Sequence, residues 1–234
     1  MCGRYAFFTP VEAVARLFGV SEIHASDIAP RYNIAPTQEV PIVRRSPFLE
    51  EEDATHEAPR ELALARWGLV PFWARDPAIG NRMINARGET VAKKPAFRAA
   101  FRKRRCLVPA DGFFEWQRTD AGKQPWYIHG ADGEPLALAG LWELWDPPEG
   151  GTPLASCAII TTAANAFMRP LHDRMPVVLD AAARDAWLAP DAEPETLEAL
   201  LRPAPEDALE AWPVSRRVNS PFNEDPSLLG KVHA

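Results

Sequence analysis

The chain has 234 residues, 47% of them hydrophobic, which is enough apolar material for one substantial buried core. Its formal net charge of −6 argues against a generic nucleic-acid binder, and no apolar run reaches the length of about 18 residues that a transmembrane helix needs. No basic-then-apolar leader opens the chain, so secretion is not expected.

The three cysteines include no CxxC pair, which argues against both a disulfide framework and a zinc ribbon. Cys106 and Cys157 lie in apolar runs and are expected to be inert core residues. A reducing compartment fits best, namely the cytoplasm or, for a eukaryotic source, the nucleus.

Charge is distributed unevenly along the chain. Residues 93–105 contain seven basic and no acidic side chains, whereas residues 180–210 contain nine acidic side chains and two arginines. A basic centre beside an acidic C-terminal region is compatible with an anionic ligand despite the negative total.

The 24 prolines are scattered between short apolar segments, a pattern typical of many short strands and tight loops with a few helices. Thr9 to Glu12 form a capping box, and the apolar stripe that follows predicts a helix over Val11–Phe18 that ends before Gly19. Strands are expected at residues 40–44 and 62–68, separated by the charged segment 46–60 as a hairpin excursion or loop.

The rest of the chain continues this mixture of short elements. A helix should cover residues 89–103 with an interruption near Pro95. Further strands are expected at 106–109, 112–117, 126–129, 136–144, 157–161 and 177–179. A turn at 120–122, a Pro/Gly loop at 146–152 and short helices at 180–188 and 195–201 complete a chain of the α+β class.

Cys2 is the first candidate for chemistry. Removal of Met1 by aminopeptidases, which is usual when the second residue is this small, would leave an α-amine and a thiol on one residue. Such an amine titrates near ~8 and is partly a free nucleophile at neutral pH. A positive charge from Arg4 would strengthen the thiol by lowering its pKa. A terminal aminothiol condenses with aldehydes to a thiazolidine; the alternative is that Cys2 is simply a small residue opening a strand.

Glu115 is a candidate proton carrier. In a strand it shares a face with Phe113, while Phe114 and Trp116 point the opposite way. If both faces are covered, desolvation raises the pKa of the carboxyl toward the range of a general acid. The alternative is an edge-strand glutamate in water.

Polar residues in two loops are further candidates. His172 could move protons at neutral pH, with its charge biased by Asp173 or Arg174, or it could be structural. Asn85 is either a buried cap for backbone groups or an orienter of a reacting group. The guanidinium fork of Arg87 suits a phosphate.

Phe72 and Trp73 form an aromatic pair before a polar loop. Exposed aromatic side chains beside arginines can form a stacking platform for unpaired bases. Burial of the pair in the core is the alternative.

In this order, these segments resemble the SRAP family, the SOS-response-associated peptidases or abasic site processing proteins. The matching stretches are MCGRYA at the start, RYNIAP at 31–36, RWGLVPFW at 66–73, INARGET at 84–90, FRKRRCLVPADGFFEW at 101–116, ITTAAN at 160–165, HDRMPVVL at 172–179 and PVSRRVNSPFNEDPSLL at 213–229. The expected fold is then one compact domain over residues 1–234, with mixed and antiparallel sheets that form an open barrel-like core flanked by short helices. Within it we distinguish the charged loop 46–60 and a C-terminal tail, 219–234.

The resemblance implies a sensor that becomes covalently linked to abasic sites in single-stranded DNA. The Cys2 amine would attack C1′ of the ring-opened sugar to give an imine, and the Cys2 thiol would then close a thiazolidine that shields the lesion. Glu115 would shuttle protons, His172 would assist opening of the sugar and reversal, and Asn85 would position the adduct.

The resemblance also implies a set of DNA contacts. Arg4, Arg87 and Arg174 would hold phosphates, with Thr162 as a further hydroxyl donor. Phe72 and Trp73 would stack on or wedge between bases, although the family often has two tryptophans there. Trp116 would wall the pocket and Pro36 would line its entrance.

Several expectations follow about class and partners. The resemblance implies a role in DNA repair and the SOS response, with hydrolase or peptidase classification and lyase-type chemistry. Self-removal of Met1 is implied by the peptidase label, whereas ordinary aminopeptidase processing suffices here and general proteolysis is not expected. No cofactor, metal or membrane is expected. A monomer, cytoplasmic and nucleoid-associated when bound to DNA or nuclear in a eukaryote, is expected, and replication-fork proteins are candidate partners.

Two other functions stay open. A class II glutamine amidotransferase also begins with cysteine and glycine, and its thiol attacks an amide while the α-amine serves as base; its downstream glutaminase signatures are missing from this chain. A non-covalent single-strand binding module would make Cys2 incidental.

Overall fold

The computed structural model describes residues 2–25, 27–47, 59–120 and 122–232. In these ranges the chain forms the strands β1 (Tyr5–Phe7), β2 (Val20–Ile23), β3 (Arg31–Ile34), β4 (Glu39–Arg45), β5 (Arg60–Trp67), β6 (Asn85–Arg87), β7 (Arg105–Ala110), β8 (Gly112–Thr119), β9 (Gly122–Gly130), β10 (Leu136–Trp145), β11 (Leu154–Ala163), β12 (Arg174–Pro176) and β13 (Leu209–Pro213). The α-helices are α1 (Val11–Phe18), α2 (Gly88–Val91), α3 (Arg98–Lys103), α4 (Ala181–Leu188) and α5 (Pro194–Ala199). Short 3-10 turns cover Pro77–Arg82, Arg216–Asn219 and Pro226–Leu229.

A closed five-stranded barrel forms the core. Its strands follow the order β11, β10, β7, β4 and β5, and β5 pairs in parallel with β11 at Ser156 and Cys157 to complete the ring. Strand β2 extends the sheet beside β5, while β6 and β12 both pair with β11. The expected α+β class with a barrel-like core and short flanking helices is confirmed, and the parallel β5–β11 pairing closes the ring that the sequence predicted to be open.

A second sheet, in the order β13-β9-β8-β1-β3, lies beside the barrel. Strand β1 sits between β3 and β8, with Tyr5 paired to both Ile34 and Phe113. Gly112 is required where β8 begins, because a Cβ there would lie 2.5 Å from the Tyr127 ring and 2.6 Å from the Ile128 carbonyl. This sheet carries the N-terminal segment and Glu115 on neighbouring strands.

Helix α1 confirms the predicted helix but not its capping box. It begins at Val11 and ends at Gly19, whose φ of 65° is the left-handed conformation that glycine adopts readily. Thr9 does not cap it: the Thr9 hydroxyl donates instead to the Asp111 carboxylate, which also accepts the backbone N–H of Phe8 and Thr9. Asp111 thereby fastens the end of β1 to the turn that leads into β8.

The other predicted elements correspond closely to the structure, with one difference in position. The interruption expected near Pro95 in the helix at 89–103 is confirmed, and it separates α2 from α3. The position predicted for the strand at 177–179 is wrong, because β12 covers Arg174–Pro176. Within 177–179, Val178 forms an isolated bridge to Leu138. Among the described residues no helix has the length and apolar character to cross a membrane.

The charged segment and the C-terminal segment are described in part. Antiparallel pairing of Arg45 with Arg60 makes the charged segment the connection of a hairpin, but its residues 48–58 lie outside the described residues, as does Ala121 of the predicted 120–122 turn. The C-terminal segment is described to residue 232, and Leu228 is buried in a small cluster with Phe114 and Val218. Cys106 and Cys157 are fully buried, as expected for core residues.

Candidate functional site

Cys2 lies fully buried just before β1. The strand after it is fixed on both sides by β3 and β8, and the Arg4 carbonyl accepts a 2.9 Å hydrogen bond from the Phe114 N–H. Hydrogen bonds to β8 therefore hold the N-terminal segment from Arg4 onward. Cys2 belongs to the main hydrophobic core cluster rather than to the surface.

Asn85 contacts Cys2 directly. It begins β6, which pairs in parallel with β11 opposite Ile159, and the Trp67 indole donates a 2.9 Å bond to the carbonyl of Ile84 just before it. The Asn85 Nδ2 donates a 2.7 Å hydrogen bond to the Cys2 carbonyl oxygen. The Asn85 Oδ1 is buried and accepts no hydrogen bond from the described residues, so it can still accept one from a ligand.

Glu115 lies on β8 and is only 3% exposed. The predicted alternation is confirmed: Phe113 packs into the main core cluster, while Phe114 and Trp116 pack into the smaller cluster on the other face. The carboxylate is close enough to Cys2 for its negative charge to raise the pKa of the thiol. The half-buried Asn85 therefore lies with the buried Cys2 and Glu115 in one group, although the three come from distant parts of the sequence.

The Cys2 thiol is not activated by Arg4. Burial raises the pKa of this thiol far above its ordinary value of 9.0, and the Glu115 charge raises it further. The Arg4 guanidinium faces elsewhere, donating 2.7 Å and 2.8 Å bonds to Asn33 Oδ1 and the Val218 carbonyl. The expectation that its charge lowers the thiol pKa is wrong, because the Arg4 contribution to Cys2 is only a backbone hydrogen bond.

His172 lies at the entrance to β12, with 29% of its side chain exposed. Its Nδ1 accepts a 2.9 Å hydrogen bond from the Arg174 N–H and is also 2.9 Å from Asp173 Oδ1. A nitrogen that accepts a bond carries no proton, so the neutral ring holds its proton on Nε2, whereas the Asp173 contact would favour protonated Nδ1. The backbone bond outweighs the Asp173 contact, because the Asp173 side chain is 86% exposed and solvent screens its charge.

The His172 loop is tied to the strand that carries Glu115. The Gln117 side-chain amide, two residues beyond Glu115 on β8, donates a 3.2 Å bond to the Pro170 carbonyl. This contact places the loop beside the end of β8.

Arg174 is held by protein groups. Its guanidinium makes a two-pronged contact with the Glu89 carboxylate and donates a 2.8 Å bond to the Thr161 carbonyl. The hydrogen bond from Arg174 holds the pKa of Glu89 below its ordinary value, so the carboxylate is charged at neutral pH. In this state the Arg174 fork does not offer the open phosphate site that the sequence predicted. Arg87 is exposed on β6, and its guanidinium makes no hydrogen bond or ion pair with the described residues.

Phe72 and Trp73 are exposed, at 59% and 48%. They follow a tight turn after β5, where Gly68 has a φ of 133° and a Cβ would lie 2.6 Å from the Gly80 carbonyl. Trp73 lines a cavity of about 480 Å³ together with Arg75 and Arg82. The alternative that this pair plugs the core does not hold.

The remaining predicted contacts have different settings. Trp116 is half-buried and its indole donates a 2.7 Å bond to Asn219 Oδ1, and Pro36 is also half-buried. Thr162 is buried and its hydroxyl donates to the Leu201 carbonyl, so the structure does not support its predicted role as a donor to DNA. The single hydroxyl proton is already used inside the protein.

Sequence reasoning missed the residues that support this site. Buried Asn33 donates bonds of 2.9 Å and 2.8 Å to the carbonyls of Ser220 and Asn223, and the Glu224 carboxylate accepts from the Asn33 N–H. These contacts tie β3 to the C-terminal segment. One sequence signal could have identified them, because both are polar residues within motif stretches, Asn33 in 31–36 and Glu224 in 213–229.

Comparison with known proteins supplies the family. A model of the SOS response associated peptidase (SRAP) family matches residues 1–221. The chain is 40% identical over 232 residues to the Bacillus subtilis abasic site processing protein YoqW, covering 98% of this chain and 99% of that one. It is 34% identical over 225 residues to the Xenopus tropicalis abasic site processing protein HMCES, covering 87% of this chain and 66% of that one. A crystal structure of a Bacteroides thetaiotaomicron protein superposes with a TM-score of 0.87 at 26% identity, covering 99% of this chain and 100% of that one.

Proposed function

Because this chain belongs to the SOS response associated peptidase family, we propose that it processes abasic sites in DNA and does so by forming a covalent link through Cys2. Relatives that match nearly its whole length carry the name abasic site processing protein, which supports the general role. The finer proposal is that the substrate is single-stranded and that the reacting unit is the α-amine and thiol of Cys2 after Met1 is removed.

One observation carries the proposal: the Cys2 backbone is held by Asn85 beside the buried carboxylate of Glu115. A cysteine that merely fills space needs neither a hydrogen-bond anchor nor a buried acid next to it. Burying a carboxylate is costly, and such groups cluster where proton transfer is required.

The first step joins the Cys2 nitrogen to the sugar. In the ring-closed abasic sugar, loss of the C1′ hydroxyl proton and cleavage of the C1′–O4′ bond give an aldehyde and a hydroxyl at C4′. The free amine then adds to C1′, and loss of one water leaves an imine. We assign to Glu115 the acceptance and return of these protons, and to the Nε2–H of His172 the donation of a proton to O4′.

The second step joins the Cys2 sulfur to the same carbon. The thiol adds across the C=N bond, forming the C1′–S bond while its proton passes to the nitrogen, so the five-membered ring closes without any redox change. Burial and the Glu115 charge raise the pKa of the thiol and so favour its protonated form, and we propose on this ground that the amine attacks first. Ring closure is intramolecular, and such proximity lowers barriers by several kcal/mol.

The DNA is proposed to contact three exposed side chains, those of Arg87, Phe72 and Trp73. The exposed Arg87 guanidinium, which makes no hydrogen bond or ion pair with the described residues, is proposed to hold a phosphate, and the two exposed rings to provide stacking surfaces for unpaired bases. Trp116 and Pro36 are proposed to border the pocket. Arg4 is proposed to contact the DNA near this pocket with its guanidinium, which also donates a hydrogen bond to Asn33. Arginine–phosphate contacts act locally, over a Debye length of about 8 Å, so the net charge of −6 does not prevent them.

Proteolysis is proposed to be limited to the residues that precede Cys2, and lyase-type chemistry to follow from the imine. We further propose a monomer that acts in the cytoplasm, or in the nucleus of a eukaryotic source, with replication-fork proteins as candidate partners.

The test is a denaturing gel of the protein with abasic or intact single strands and with abasic duplex. We expect a denaturant-resistant band with the abasic single strand, much less with the duplex, and none with intact DNA. Cys2→Ala, or retention of Met1, should abolish the band, with circular dichroism showing that each variant is folded. An undiminished band from Cys2→Ala would refute the proposal.

The same samples separate the two other functions. Release of ammonia from glutamine would favour the amidotransferase. Reversible binding that is indifferent to the abasic sugar and to Cys2→Ala would favour a non-covalent module.

A further inference from the structure

Three potential metal ligands meet at the edge of the barrel where β2 pairs with β5. Glu22 is directly opposite Glu61 in this parallel pairing, and His24 continues the ladder by donating its N–H to the Leu62 carbonyl at 3.0 Å. Residues two apart on an extended chain share a face, so Glu22 and His24 project to the same side. Two carboxylates opposite each other repel unless a positive charge lies between them.

The distances between the three ligand atoms are informative. His24 Nε2 is 3.4 Å from Glu22 Oε2 and 3.3 Å from Glu61 Oε2, and all three atoms lie within 4.8 Å of one another. Charge-assisted N–H···O hydrogen bonds are shorter, at about 2.7–2.9 Å, so neither His24 contact has the length of such a bond. With Zn–N and Zn–O bonds of about 2.0–2.2 Å in a tetrahedral site, adjacent ligand atoms are separated by about 3.3–3.5 Å.

Glu61 supplies a second, independent observation. Its side chain is buried, and Arg44 Nε donates a 2.6 Å bond to Oε1 while the Arg44 guanidinium stacks 3.9 Å from the centre of the Trp142 ring. The other oxygen, Oε2, is buried and has no hydrogen-bond partner among the described residues, yet it faces His24. Arg44 therefore fixes the carboxylate in the manner of an outer-sphere partner in metal sites.

We propose that Glu22, His24 and Glu61 bind one divalent transition-metal ion of the zinc class, with water in the fourth position. An imidazole with two carboxylates suits zinc and its neighbours, whereas calcium and magnesium prefer six or more oxygen ligands. The nearby Arg44 charge opposes the cation, so moderate rather than tight affinity is expected. The ion would clamp the edge strand β2 to the barrel and is independent of the chemistry at Cys2.

The test is a calorimetric titration of metal-free protein with zinc sulfate, in wild type and in Cys2→Ala, since a terminal aminothiol can itself bind zinc. We expect a one-to-one site that survives Cys2→Ala, and at least tenfold weaker binding in His24→Ala and Glu22→Gln. Both substitutions are at partly exposed positions, so the fold should survive. Glu61 is left intact because its loss would leave the buried charge of Arg44 without its carboxylate partner.

Two further measurements keep the result specific. His129→Ala is the matched control, because His129 lies 3.9 Å from one carboxylate, that of Glu210, and should leave zinc binding unchanged. Cobalt bound to Cys2→Ala protein should show d–d bands without the near-ultraviolet thiolate band. Zinc should raise the Tm of Cys2→Ala but not of the Cys2→Ala, His24→Ala double variant. No binding, or binding that His24→Ala and Glu22→Gln leave unchanged, would overturn the proposal.

Discussion

The Asn85 side-chain amide donates a 2.7 Å hydrogen bond to the backbone carbonyl of Cys2. The carbonyl and the α-amine share one Cα, so this bond also limits where the amine can point. Asn85 is fixed in turn by β6–β11 pairing and by the Trp67 bond to Ile84. The proposed nucleophile is therefore oriented by the barrel rather than by its own short segment.

Asn85→Ala should slow adduct formation roughly tenfold to a hundredfold, because small displacements of a reacting group carry penalties of that order. The measurement is the rate of adduct formation under single-turnover conditions. Asn81→Ala is the control, since Asn81 accepts a bond from Arg66 at the surface, and its rate should match wild type. Equal rates for Asn85→Ala and wild type, at equal Tm, would remove Asn85 from the site.

The pH dependence of thiol reactivity follows from the raised pKa of Cys2. In protein that retains Met1, the thiolate fraction at pH 7 should be very small and should grow about tenfold per pH unit up to that raised pKa. Alkylation of Cys2 by iodoacetamide, followed by mass spectrometry of the N-terminal peptide, should therefore still rise about tenfold per pH unit between about pH 9 and 11. A rate that is half-maximal near the ordinary value of 9.0 and levels off about one unit above it would show that the thiol has an ordinary pKa.

Glu89→Gln should strengthen binding to single-stranded DNA. Pairing with Arg174 keeps the Glu89 pKa low, so at neutral pH the charged carboxylate occupies the guanidinium, which is released only when the pH falls below the ordinary carboxylate range. The neutral amide would free Arg174 for a phosphate and increase the dependence of log Kd on log salt by up to about one ion.

Fluorescence anisotropy with Cys2→Ala protein, in which no adduct forms, measures this effect. Glu149→Gln is the charge-matched control, because Glu149 is exposed in the loop between β10 and β11. A gain of equal size in Glu149→Gln would assign the effect to net charge alone.

Phe72→Ala and Trp73→Ala should each weaken single-strand binding by about 1–3 kcal/mol, the usual contribution of one base stacked on an aromatic ring. Their exposure means that stability should change little. Leu144→Ala removes another exposed apolar side chain, on β10, and should leave affinity unchanged. Full affinity in the Phe72→Ala, Trp73→Ala double variant would show that DNA does not contact this aromatic pair.

Long apolar strands were predictable from the sequence, and very short ones were not. Strands β4, β5 and β7 to β11 are six residues or longer, with enough apolar positions to indicate a strand. Strands β1 and β6 have three residues each and exist because distant strands pair with them. Asn85 was therefore predicted to lie in a loop, where its residue type suited either a cap for backbone groups or an orienter of a reacting group.

The least predictable feature was the partner that each charged side chain contacts in the fold. Arg4 and Arg174 were assigned to phosphates, but Asn33 and Glu89, both far along the chain, occupy them. Glu22 and His24 likewise suggest a metal site only because the fold brings Glu61, on another strand, beside them. Such contacts depend on tertiary packing, which local spacing does not encode.

The most direct test of the central claim is intact and peptide mass spectrometry of the adduct with an abasic oligonucleotide. A thiazolidine predicts the summed masses less one water, attachment at Cys2, a Cys2 thiol that no longer reacts with iodoacetamide, and no mass change with borohydride. Attachment at a lysine, or a Cys2 adduct that borohydride reduces and whose thiol still alkylates, would contradict the claim that amine and thiol react as one unit.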